Sequence, residues 1–385
     1  MNTPNHSSYP DPSKRMFFIS SLDISNGRPE KHGVTKKILL QIKTFQKLGF
    51  TVDFIFLKDN KCFIYRNGGK EYLCDTTQRY LYNIEKISPI LTKLIDATEY
   101  YTYYLRFEGL SPNLYRFLSN AKSRNKELII NAELPTFQKR WEPGTKIKGK
   151  LNFIARRIVD NILSSPIDHM ITFDDQNKIF HRPTIQIENF ADVSRIPIKK
   201  IKHDENDIHL VGVAQMTPSH GFDRVISGLY KYYSQPNHTR NVYFHIIGDG
   251  AVKSQWQAMV RKFKLDKYVL FEGIKTSDEL TDYIDRAQLA IGSLAFFRKK
   301  ASKASELKIR EYCARGIPFI YSAYEPMLND KEWCLKIIHD EQPVDINKVI
   351  DFIDQIDYMK TIPEIRKFAE ESCTPESQLN KIYTP

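Results

Sequence analysis

The segment 298–316, RKKASKASELKIREYCARG, gathers more potential chemistry than any other part of the chain. A basic loop runs into the start of a helix. Ser305 reads as the N-cap, because it precedes the apolar-periodic residues Leu307, Tyr312 and Ala314. The unpaired N–H groups of a first helical turn, together with the helix dipole, form an anion site. Arg298, Lys303, Lys308 and Arg310 would surround it with positive charge, with Glu306 at the same helix start, and a diphosphate is well matched by such a set. Glu311 falls about two turns further in, where a carboxylate can accept hydrogen bonds from a sugar diol. The same residues would also make the solvated basic face of an ordinary surface helix.

Three more segments place reactive residues after strands. In 211–224, VGVAQMTPSHGFDR, a strand, a loop and a helix set His220 and Gly221 at the mouth of a cleft, and the glycine lets a backbone approach a ligand closely. A lone histidine there can equally be incidental. Gly33 lies in the first strand-to-helix turn, but GxGxxG is absent, so a nicotinamide fingerprint is not supported. In 131–136, NAELPT, Glu133 follows a strand and should face the cleft as a candidate catalytic carboxylate.

The elements that would hold these residues alternate. Short apolar strands at 16–22, 51–57, 101–106, 127–131, 169–173 and 184–187 are separated by amphipathic helices, the first carrying Ile38, Ile42, Phe45 and Leu48 at helical spacing. A second series has strands at 209–213, 242–247, 268–271, 288–291 and 318–322; two of these end in Gly248-Asp249-Gly250 and Glu272-Gly273. Alternation of this kind implies parallel sheets with helices on both faces. The expected organisation is a flexible tail at 1–15, an N-terminal Rossmann-like domain at 16–193, a linker at 194–207 and a C-terminal domain at 208–362. The final helix, 363–385, is expected to pack back on the first domain. Ligands of such sheets bind beyond the carboxyl ends of the strands.

Composition removes other classes. No run of about 18 apolar residues offers a membrane span. The N-terminus has no apolar core of a signal peptide, which points to a cytoplasmic protein. The five cysteines form no CxxC or Cys/His cluster, so neither a zinc site nor a disulfide framework is indicated. The formal charge of +11, from 57 basic and 46 acidic residues, favours anionic partners. Seven basic residues against Glu142 leave +6 on the stretch 139–157, with Leu151, Phe153 and Ile154 interleaved. Such a stretch could lie on an anionic membrane surface, or serve as a solvated helix face. No nucleic-acid-binding motif accompanies it.

The segments 211–224, 248–250 and SELKIREYCARGIPFIYS together resemble the C-terminal domain of family-4 retaining glycosyltransferases. HGVTKKILLQIKTFQKLGF resembles their glycine loop and first helix, and IENFAD the end of their N-terminal domain. The likeness runs from Met16 onward and is greatest to a bacterial subgroup of capsule and exopolysaccharide assembly. It implies the GT-B fold, two Rossmann-like doubly wound parallel-sheet domains facing across a cleft.

The resemblance also implies roles. The family's donor motif is two glutamates eight positions apart. Glu311 takes the second position and implies contact with the nucleotide ribose, whereas Lys303 stands in the first. Gln215 and His220 replace the usual Arg and Lys of the loop after the first C-domain strand. Arg298, Lys308 and His220 would then act on the departing diphosphate. Gly33, Gly221, Gly248, Gly273, Ser305, Glu306, Leu307, Arg310 and Glu311 would bind the donor. The implied activity is retaining transfer from a nucleotide diphosphate sugar to a glycan or lipid-linked glycan, with no cofactor. No metal is expected, since Asp174-Asp175 is an adjacent pair rather than a spaced one. A non-catalytic glycosyltransferase-like partner subunit is the alternative; an epimerase or phosphorylase of the same fold is a further rival.

Overall fold

The structure, a computed structural model, describes residues 14–20, 22–25, 32–76, 80–106, 109–134, 157–173, 175–202, 206–236, 238, 240–299 and 303–383. The chain divides into two compact units, residues 1–187 with 378–385, and residues 188–377. Among the described residues no helix is long and apolar enough to cross a membrane.

The N-terminal unit is built on β1 (Arg15–Ile19), β2 (Thr51–Lys58), β3 (Lys61–Arg66), β4 (Gly69–Asp75), β5 (Thr102–Arg106), β6 (Ile129–Leu134), β7 (His169–Thr172), β8 (Lys178–Ile179) and β9 (Arg182–Gln186). Their order is β4-β3-β2-β1-β5-β6-β7-β9-β8. The β2-β1-β5-β6-β7-β9 core is parallel. β1 feeds the helix His32–Lys47, which buries Ile38, Ile42 and Phe45 and stops at Gly49 with φ 86°.

β3 and β4 are an antiparallel extension that the sequence reading lacks. Asp59-Asn60 and Asn67-Gly68 make the two turns, with φ of 49°, 59°, 50° and 78°. Paired left-handed residues are the two-residue hairpin turn that matches strand twist. β6 runs through Leu134 rather than ending at residue 131, so Glu133 lies inside the strand, opposite Arg106 of β5.

The C-terminal unit has β10 (Asp207–Val213), β11 (Asn241–Ile247), β12 (Val269–Gly273), β13 (Leu289–Ile291), β14 (Phe319–Tyr321) and β15 (Cys334–Lys336). All are parallel, in the order β12-β11-β10-β13-β14-β15. The order is the dinucleotide-fold sequence 3-2-1-4-5-6, whose direction reverses between β10 and β13.

Both expected boundaries move. The division falls after Ile187, and residues 188–202 belong to the second unit: the Asn189 side chain donates to the Ser305 carbonyl, and the buried Lys199 ammonium caps the carbonyls of Ile284 and Asp285 at 2.8 and 2.6 Å. The helix Tyr358–Ser372 packs in the second unit too, because Ile365 and Ala369 join the core around Tyr312 and Phe319. Only the last residues lie on the first unit, where the Tyr383 ring meets Phe50 at 4.9 Å and Phe45 at 6.0 Å.

Candidate functional site

The reversal between β10 and β13 opens a crevice at their carboxyl ends, and the two loops there are bonded to each other. After β10, residues 218–220 form a short 3-10 turn. Leu294 N–H donates to the His220 carbonyl (2.9 Å) and Ala295 N–H to that of Ser219 (3.2 Å). Gly221 makes this approach possible. Its φ is 65°, and a Cβ there would lie 2.8 Å from the Ala295 Cβ. On the other side, a Cβ on Gly248 (φ 123°) would meet the Ala214 carbonyl oxygen at 2.0 Å. Gly273 (φ 72°) has nothing within 4 Å, so it leaves open backbone after β12.

His220 has a defined role in the turn. Its Nδ1 accepts from the Thr217 N–H at 3.2 Å and lies 3.0 Å from the Thr217 hydroxyl. Burial, helped by the nearby Lys308 and Lys299 cations, pushes its pKa down to about 3. The ring is therefore neutral, with its proton assigned by this bonding to Nε2, which can donate.

After β13, Ser293 turns the chain toward the helix Leu307–Arg315. Glu306, not Ser305, is the N-cap residue. Its carboxylate takes the Ser293 N–H at 3.2 Å and the Ser293 hydroxyl. Ser305 is displaced because its hydroxyl accepts the Asn189 N–H at 2.7 Å. Glu311 is consequently one residue nearer the helix start than expected, about one and a half turns from the cap, and it is exposed. Leu307 is also exposed.

Lys308 is the distinctive group. Its side chain is 12% exposed, and its Nζ is buried without a hydrogen-bond partner among the described residues. Glu306 Oε2 lies 4.0 Å away and the Phe222 ring centroid 5.4 Å away. Burial lowers its pKa to about 8, against the attraction of Glu306 and Glu311 and with the repulsion of Lys299. A buried cation without a hydrogen-bond partner is costly, and an incoming anion relieves that cost.

Three expected site residues are engaged elsewhere. Arg298 uses all five N–H groups internally. Nη1 donates to the Pro218 carbonyl (2.8 Å) and Asp223 (3.0 Å), Nη2 to Asp223 (2.7 Å) and Glu341, and Nε to Glu341 (2.9 Å). It clamps the site loops together and is not a free cation. Arg310 is 1% exposed; Nη2 binds Glu325 (2.7 Å) and Glu188 (3.2 Å), and Nε binds the Asn189 carbonyl (3.0 Å). It holds the helix to residues 188–189, while its Nη1 is buried with no hydrogen-bond partner among the described residues. Lys303 pairs with Glu188 at 3.5 Å.

Glu133 does not face solvent. It is fully buried in the N-terminal unit, where Arg106 Nη1 (3.0 Å), the Tyr104 hydroxyl (2.7 Å) and Gln41 donate to it. The strand's continuation past residue 131 put it there. Gly33 lies in the first turn of the helix His32–Lys47, also in that unit. Asp174 and residues 139–156 lie outside the described residues. Among what the sequence missed, Thr217 lies in the segment 211–224 but is not itself singled out there, and Ser293 carries no motif signal, its loop being identified by the strand order.

No family model matches this sequence, and no curated protein matches it. Solved structures do. HepE of Anabaena in complex with UDP is 14% identical, with 96% of this chain covering 98% of that one at a TM-score of 0.56. Sucrose-phosphate synthase of Thermosynechococcus elongatus is 12% identical over 96% of this chain and 98% of that one, at 0.58. A TarM variant of S. aureus in complex with fondaparinux, α-GlcNAc-glycerol and UDP is 17% identical over 83% of this chain, at 0.50. This chain covers 61% of that TarM chain's length. Two Rossmann-like α/β units in one chain are the fold of these glycosyltransferases, the GT-B fold.

Proposed function

We propose that this chain is a glycosyltransferase that takes its sugar from a nucleotide diphosphate donor bound in the C-terminal unit. The observation that carries the reading is the buried Lys308 ammonium at the start of a helix, with no hydrogen-bond partner among the described residues and Glu306 4.0 Å away, beside the neutral His220, at the strand-order reversal. When the sugar–phosphate bond breaks, its electron pair stays on the diphosphate. A cation held at that oxygen binds the transition state more strongly than the intact donor. Lys308 supplies that charge, the helix N–H groups and His220 Nε2–H add donors, and Arg298 positions the loops. The exposed Glu311 is placed for the ribose diol. The two neighbours solved with UDP support a uridine nucleotide as the first donor to try.

Retention, a glycan or lipid-linked acceptor, and a place in bacterial surface-polysaccharide synthesis belong to the same proposal, supported by the motif resemblance. So does metal independence, for which the protein's own cations would take the charge of the leaving diphosphate. A cytoplasmic protein resting on an anionic membrane through 139–157 is supported by the exposed Ile158, Val159 and Ile162 that follow those basic residues.

The test is incubation with a panel of nucleotide sugars in EDTA, following release of the nucleoside diphosphate from the wild type and from Lys308→Ala. Hydrolysis lost in the variant is the expected result. Hydrolysis that needs added Mg²⁺ would overturn the metal-free step. A wild type that binds no nucleotide would overturn the whole reading. UDP binding without turnover would favour the non-catalytic partner, a reading to which the fully occupied Arg298 lends some weight.

A further inference from the structure

The N-terminal sheet has its own reversal. Its parallel core starts at β1, adds β2 on one side and then continues through β5 on the other, so the crevice position lies at the carboxyl ends of β1 and β5. Arg106 is the last residue of β5. Its side chain is 8% exposed. One nitrogen alone, Nη1, serves the interior: it donates to Glu133 Oε1 and to Gln41 Oε1, each at 3.0 Å. Nε and Nη2 make no hydrogen bond to any described residue. Those two nitrogens form one edge of the guanidinium, the parallel fork that fits a carboxylate or a phosphate with two bonds.

A second cation lies nearby. Glu133 is already satisfied by Arg106, the Tyr104 hydroxyl and Gln41. Lys37 also acts on Glu133 and sits 4.3 Å from the Phe173 ring centroid, just beyond β7. Among the described residues, Arg106 and Lys37 thus both act on the Glu133 carboxylate. The helix that follows β1 brings Gln41 to the cluster and has no acidic residue in its first turn.

We propose that Arg106 is the recognising group of an anion subsite in the N-terminal unit, which takes the carboxylate or phosphate of the sugar acceptor. That the ligand is an acceptor rests on the glycosyl-transfer reading; the anion subsite does not.

The experiment is calorimetry on the full chain in a Lys308→Met background, which removes the cation of the other unit. The probes are p-nitrophenyl β-D-glucuronide, glycerol 3-phosphate and the neutral p-nitrophenyl β-D-glucoside. Either anion should bind roughly tenfold to a hundredfold tighter than the glucoside. Preference for the glucuronide identifies an acidic sugar, and preference for the phosphate a phosphorylated acceptor; both support the subsite. Arg106→Gln with Glu133→Gln keeps the local charge balanced and should abolish the preference, while Arg106→Lys keeps the charge, loses the fork and should weaken it. Should the double variant fail to fold, Arg106→Lys against its parent decides. Equal binding of all three probes, or a preference unchanged in the variants, overturns the proposal. UDP affinity is measured in parallel on the chain with Lys308 intact: no UDP binding with the anion preference present would sink the transferase reading and leave the subsite standing.

Discussion

Replacing Lys308 with methionine should stabilise the protein and cripple it. Burial draws the ammonium from its ordinary 10.5 to about 8. At pH 7, keeping that charge in the folded chain therefore costs about 3 kcal/mol relative to the unfolded one. Methionine has a similar length and removes the charge, so a net gain of about 1–3 kcal/mol is expected, or about 2–4 °C in Tm for each kcal/mol. The sign with pH follows from the lowered pKa. The unfolded chain holds more protons than the folded one between about 8 and 10.5, so the wild type gains stability across that window and the variant does not. UDP affinity should move the other way, falling as the loss of a charged hydrogen bond requires, about 1.5–3 kcal/mol. Thermal melts from pH 7 to 10, with and without UDP, read both effects. A less stable variant that binds UDP as tightly as the wild type would refute the argument, because Lys308 would then be a structural cation.

Glu133→Ala should cost about 3–5 kcal/mol of stability, since it strands the buried Arg106; a variant that melts normally and loses only turnover would restore it as a catalytic group. Gly248→Ala should destabilise strongly and Gly273→Ala by only about 1–2 kcal/mol, because both have positive φ but only the first would drive a Cβ into backbone; equal Tm losses would contradict this. Arg310→Met should lower Tm while leaving the UDP affinity of the folded fraction unchanged, and a selective loss of affinity would return it to the donor site. Glu311→Ala, at an exposed position, should leave Tm alone and weaken UDP binding by about 1.5–3 kcal/mol; unchanged calorimetry would remove the ribose contact.

The alternation of strands and helices was legible because each element carries its own periodicity. Ile38, Ile42 and Phe45 mark a helix face without any help from the rest of the chain. The β3–β4 hairpin was missed although Asn67-Gly68 is a strong turn signal, because the surrounding strands carry few buried residues: β4 buries only Cys74. The domain boundary was misjudged for a related reason. Residues 188–202 and 358–372 look like linker and tail in sequence, yet Asn189, Lys199 and Ile365 are held by partners up to more than a hundred residues away.

The site was legible in location and not in role. The type and spacing of residues 298–311 brought cations to the right loop. Sequence cannot tell which of those cations is already neutralised, since that depends on Asp223, Glu341, Glu188 and Glu325, which arrive from other elements. Arg298 and Arg310 are drawn into such pairs with direct hydrogen bonds, whereas Lys308 has only Glu306 at 4.0 Å and no hydrogen bond among the described residues. The two arginines suit clamping because a guanidinium can satisfy several carboxylates and carbonyls at once. The lysine, a compact charge on a flexible stem, is the group left without a hydrogen bond. A folded chain rarely keeps a buried charge with no partner unless something else provides one. In the C-terminal unit that argument selects Lys308 over its more conspicuous neighbours. In the N-terminal unit a different observation, a guanidinium paired with Glu133 through one nitrogen and left with an unbonded edge at the end of β5, points to Arg106, where the sequence had drawn attention to Glu133.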